Sequence, residues 1–156
     1  MKRSVGVITA IAVVLVGLVG CGGAGGSDDQ SAEDVANAMA DRISTMTVTV
    51  VYNAETDPNT LLGRPGQYSS KVAFADSRID QDSAEKGDTE LGGSIESFPD
   101  SSSAKRRANY VQAIAKSSGL FAEYSWLIGA HLVRVAKQLT PEQAEEYEQA
   151  AKAVIN

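Results

Sequence analysis

Few side chains in this 156-residue chain are placed to do chemistry. Cys21 is the only cysteine and His131 the only histidine. A thiolate is a strong nucleophile and metal ligand. A single one forms neither an internal disulfide nor a multi-cysteine zinc site. A histidine works as a general base only beside a nucleophile or a carboxylate. Lying next to a turn, His131 reads as a surface or edge-strand residue. Gly-x-Ser-x-Gly, His-Glu-x-x-His and the phosphate-binding loop are missing, and no glycine fingerprint stands in the strand-to-helix setting of a dinucleotide site. No serine or threonine is marked as a nucleophile by its setting. Asn53, Glu55, Asp57 and Asn59 alternate like the first ligands of a calcium loop. Such a loop needs Gly at its sixth position and Glu at its twelfth, where this chain has Pro58 and Arg64. The expectation is therefore no metal, no cofactor and no catalytic residue.

The remaining candidate is a stiffened polar loop. Pro58 and Pro65 restrict it, Gly63 and Gly66 permit turns with positive φ, and Leu61 and Leu62 can plug it into a core. Asp57, Asn59, Arg64 and Gln67 are the side chains it offers as a possible binding surface. The same design also keeps a long crossover rigid, so both roles stay open.

Cys21 has a particular context. Lys2 and Arg3 precede an uncharged apolar run from Val5 to Val19, which ends in Leu18-Val19-Gly20-Cys21. A charged start, an apolar middle and a small-residue exit make a secretory signal peptide. The run is shorter than the ~20 residues of a spanning helix. Leu-Val-Gly-Cys resembles the bacterial lipobox, in which the cysteine takes a diacylglyceryl group and the chain is cut just before it. The resemblance implies removal of residues 1–20 and a mature protein anchored by lipid on Cys21. Two acyl chains hold a protein stably where one does not. Residues 21–31, with their run of glycines, form a flexible tether, of roughly 17 Å reach for ten residues. The expected location is the outer face of the cell membrane.

The Asp57-Pro-Asn-Thr-Leu-Leu-Gly-Arg-Pro-Gly-Gln-Tyr-Ser-Ser-Lys71 segment also carries a resemblance. It is similar to a segment of uncharacterised lipoproteins and secreted proteins of Gram-positive bacteria, actinobacteria among them. Gly-Gly-Ser-Ile-Glu-Ser-Phe98 and Leu-Thr-Pro-Glu-Gln-Ala-Glu-Glu-Tyr147 are similar to that group as well. The resemblance implies location and fold, and no activity.

Charge narrows the partners. The chain has 14 basic and 20 acidic residues, a net −6, and losing Lys2 and Arg3 makes it −8. A nucleic-acid binder needs the opposite balance. The same acidity discourages contact with an anionic leaflet.

Residues 32–156 read as a single globular domain. Ser31-Ala-Glu-Asp34 starts a helix over 32–44, with Ala32, Val35, Ala36, Met39 and Ile43 as its stripe. Residues 47–52 alternate as a strand. Tyr68, Ser70, Val72 and Phe74 mark a second strand, and 93–98 a third that Pro99 ends. Between them, six acids fall among residues 76–90, which predicts a solvated, mobile acidic loop over about 76–92. Ser101 to Ser103 can cap a helix reaching about 117. Residues 123–135 look like a hairpin turning at Gly129, with a continuous helix over 120–138 as the competing reading. Thr140-Pro-Glu-Gln143 opens the last helix. Five short, mostly antiparallel strands with three helices on one face predict a small two-layer α+β domain.

Function follows only coarsely. A non-catalytic binding domain at the envelope, acting on a protein or envelope component, is the leading expectation. A small secreted hydrolase or ligand-scavenging lipoprotein using Ser, Asp and His131 is the alternative.

Overall fold

A computed structural model describes residues 30–118 and 122–155. The expected signal peptide, Cys21 and the part of the expected tether before Gln30 lie outside the described residues. The elements are α1 (Ala32–Ala40), β1 (Met46–Val51), β2 (Ser70–Asp76), β3 (Gly92–Ser97), α2 (Ser101–Ser117), β4 (Glu123–Ile128), β5 (His131–Ala136) and α3 (Pro141–Val154). The strands form one antiparallel sheet in the order β1-β2-β3-β5-β4. The domain is α+β, as its element pattern predicts. No described helix is long and apolar enough to cross a membrane.

Local chemistry sets the helix ends. Ser31 Oγ accepts from the Asp34 amide while the Asp34 carboxylate accepts from the Ser31 amide, so both free donors at the start of α1 are used. Thr140 and Gln143 make the same reciprocal pair at α3, with Pro141 in its first turn. α2 is capped by Asp100, not by a serine. A charged oxygen at an exposed N-terminus accepts from Ser103 N more strongly than a hydroxyl does. α1 stops at Ala40, short of the expected 44, and turn bonds from Arg42 and Ile43 to Met39 bring Ile43 back into the core.

One face of the sheet is apolar. Val72, Ile95 and Val133 stand side by side across β2, β3 and β5. α1 and α3 cover them, and the Tyr147 ring stacks on Phe74 at 5.2 Å. α2 departs from the expectation of helices on one face. It packs against β4 and β5 on the other side of the sheet, around Tyr68, Phe98 and Leu132. That second face carries Lys71, Glu96 and Arg134, which only a helix with its own charges can cover.

The 76–92 stretch is tied down more than its composition suggests. Asp76 ends β2 fully buried, and Gly92 already belongs to β3. Between them, a turn bond from the Ile79 amide to the Asp76 carbonyl and a 3-10 turn over Thr89–Leu91 bring Ile79 and Leu91 inward, and Gln81 Nε2 donates to the carbonyls of Asp76, Ile79 and Leu91. Its other acids face solvent.

Candidate functional site

Strand alternation sends Lys71 of β2, Glu96 of β3 and Arg134 of β5 to the face under α2. Lys71 stands opposite Glu96, and Arg134 opposite Ser94. Glu96 is fully buried, so its charge needs full compensation. Arg107, from α2, supplies it through Nε and Nη2, both at 2.8 Å to the two carboxylate oxygens. Arg134 adds Nη1 at 3.8 Å and gives its own two-pronged contact to Glu123 across the β4–β5 hairpin, both bonds at 2.7 Å. Arg107–Glu96–Arg134–Glu123 is therefore a continuous chain of ion pairs laid across three strands. Such planar pairs fix side-chain geometry as well as charge. Burial opposes the Arg107 charge, and Glu96 more than restores it, so the guanidinium is held more firmly protonated than usual.

Asp57 anchors the loop above this floor. Tyr68 Oη donates to its Oδ2 at 2.6 Å, the Leu61 and Leu62 amides donate to the same oxygen, and Lys71 Nζ donates to Oδ1 at 3.1 Å. Burial raises the Asp57 pKa, but these bonds outweigh it and leave the carboxyl at about 2. Burial lowers Lys71, with Asp57 as the main opposing influence. The Asn59 oxygen faces Lys71 Nζ at 3.0 Å and Arg107 Nη2 at 3.3 Å, since its amide NH2 there would meet two cations. Leu61 and Leu62 pack against the Tyr68–Phe98 cluster, as expected of a plug.

Between this loop, α2 and the sheet runs a cleft of about 910 Å³. Asn59, Gly66 and Gln67 line its loop side, Arg106 and Tyr110 its helix side, and Arg134 its floor. A polar floor with an apolar helix wall is the usual build of a ligand site.

The loop residues singled out in sequence separate in space. Asn59 and Gln67 line the cleft. Arg64 is exposed and lies away from it. Asp57 is 2% exposed, which corrects the expectation that the loop displays it: five donors, the Asn59 amide among them, hold it inside. Asn53, at the start of the calcium-like run, uses Oδ1 to accept from the Glu55 and Thr56 amides, which makes it a turn former. No group of three or more metal-ligating His, Cys, Asp or Glu occurs among the described residues.

His131 is corrected too. It is 1% exposed and sits on β5, an interior strand, because β4 takes the sheet edge. Its Nδ1 lies 2.7 Å from Ser97 Oγ, and Ser97 is 2% exposed. The two are close enough for a nucleophile–base pair but are enclosed, so no substrate carbonyl reaches the hydroxyl.

Lys71, Glu96, Arg107, Glu123 and Arg134 were not singled out from the sequence. The available signal was a charge in mid-strand flanked by core residues, as in Lys71-Val-Ala-Phe and Ser94-Ile-Glu-Ser97. Two such strands with opposite charges in register suggest a buried pair.

No protein-family model, no curated protein and no solved structure matches the chain.

Proposed function

We propose that this protein is a non-catalytic binding domain, held at the outer face of the cell membrane by lipid on Cys21, and that the cleft under α2 is its binding site. The observation that carries the reading is the ion-pair floor. Glu96 and Glu123 have both oxygens engaged by arginines, so they orient the guanidinium groups and are not available as general bases. A site whose charged groups are fixed before a ligand arrives lowers the ordering cost of binding. The lipobox-like Leu18-Val19-Gly20-Cys21 supports the location, and the glycine-rich composition of the sequence that follows it supports a tether.

The test uses the full chain. Soluble envelope extract is expected to raise its Tm, and Gln67→Trp, which fills the cleft, is expected to abolish that rise while leaving the Tm without extract unchanged. An extract effect that survives Gln67→Trp would move the binding site elsewhere.

A further inference from the structure

The three arginines of the cleft are not equivalent. Arg107 and Arg134 each spend Nε and Nη2 on one carboxylate. Arg106 meets only hydroxyls: Nη1 donates to Ser102 Oγ at 3.2 Å and Nη2 to Ser103 Oγ at 2.9 Å. No carboxylate among the described residues forms an ion pair with it. Both hydroxyls donate their single protons to Asp100, at 2.6 and 2.8 Å, so each presents only lone pairs to Arg106. The guanidinium is therefore seated by neutral acceptors, with the Asp100 carboxylate behind them and in no direct ion pair with it.

Gly66 closes the seat from the loop side. Its φ is +71°, and a Cβ there would lie 3.3 Å from Arg106 Nη2. An exposed arginine normally samples many rotamers, and a ligand that orders it loses affinity in doing so. The seat removes part of that cost in advance.

The surroundings fit an anion. Arg107 and Arg134 line the cleft already paired to Glu96 and Glu123, so Arg106 is the lining arginine with no carboxylate ion pair among the described residues, and Glu90 is the other carboxylate of the lining. Glu96 is buried behind Arg107. One helical turn beyond Arg106, the Tyr110 ring is 59% exposed and lies 5.7 Å from the Arg107 guanidinium. With Leu61, Val111 and Ile114 it forms an apolar wall.

Resting on the reading of the cleft as a binding site, we propose that its ligand is a small organic anion, a carboxylate or phosphate on a body with an apolar face. The anion sits on Arg106 and the body lies against Tyr110. A guanidinium fork matches both anions in two-point geometry.

The experiment is calorimetric titration of the full chain, in a non-ionic detergent, with phenyl phosphate, benzoate, benzyl alcohol and glycerophosphoglycerol. Phenyl phosphate and benzoate are expected to bind about tenfold more tightly than benzyl alcohol. Arg106→Gln is expected to weaken both anions about five- to tenfold, while Lys105→Gln, the same charge change one residue away, leaves them unchanged. Equal binding of benzyl alcohol, lost in Gln67→Trp, would overturn the anion and keep the cleft. Binding of no probe would overturn the small-anion proposal, and binding untouched by Gln67→Trp would overturn the cleft reading itself. Glycerophosphoglycerol, a lipid headgroup without its chains, is expected to bind more weakly than phenyl phosphate. If it binds as tightly, the anion comes from the membrane surface and the apolar body is wrong.

Discussion

Lys71 Nζ donates to Asp57 Oδ1 at 3.1 Å with both side chains withdrawn from water, and this pair joins the polar loop to the central sheet. Its value lies in what happens when half of it is lost. Asp57→Asn leaves a buried ammonium without its carboxylate, which is expected to cost about 3 kcal/mol. Lys71→Met strands the carboxylate but leaves the Tyr68 and backbone donors in place, so its cost is expected to be smaller, about 2 kcal/mol. The double variant is expected to be more stable than the sum of the two predicts. Urea unfolding of all four proteins measures this coupling, and strict additivity would mean that the pair does not hold the loop.

The same carboxylate gives a pH dependence. The folded Asp57 pKa of about 2 lies below its unfolded value of 3.8. Its contribution is therefore complete above about pH 4 and is lost as pH falls through 2, amounting to about 2 kcal/mol. Asp76 acts in the same direction: burial raises it, and bonds from Arg78 and Tyr147 more than reverse that. Urea midpoints between pH 5 and pH 2 should fall steadily in the wild type and less steeply in Asp57→Asn. Parallel pH profiles would remove Asp57 from the account of acid unfolding.

Gly93 shows how closely neighbouring strands and their side chains approach within the sheet. A Cβ there would collide with the Arg134 carbonyl and the Phe74 ring. Phe74 is itself stacked under Tyr147 and has nowhere to move. Gly93→Ala is expected to cost about 3 kcal/mol, since overpacking of a filled core displaces backbone as well as side chains. Thermal unfolding checks it, and an unchanged Tm would mean that the ring has room.

Much of the fold was legible because local rules and tertiary packing agree. The α3 start at Thr140-Pro-Glu-Gln143 and the hairpin turn at Gly129 follow from capping and turn chemistry, and Glu148 and Lys152 meet at 2.6 Å as their spacing requires. What was hidden depends on which elements are neighbours. Nothing local to His131 says that β4 rather than β5 is the edge, and this alone turns a surface residue into a buried one. Asp57 looks like a display residue until Tyr68 and Lys71 are folded against it. Half of the expected binding loop, Asn59 and Gln67, does reach the cleft, but the arginine there with no carboxylate ion pair among the described residues is Arg106, which appears in sequence as one of several charges on a helix.

The proposed position of the cleft outside the cell rests on the proposed modification of Cys21, and one measurement tests that most directly. Mass spectrometry of the N-terminal peptide, from protein extracted out of native membranes, should find a chain that begins at Cys21 and carries a diacylglyceryl group on its sulfur. A chain that retains Met1, or begins elsewhere without fatty acid, would contradict the account.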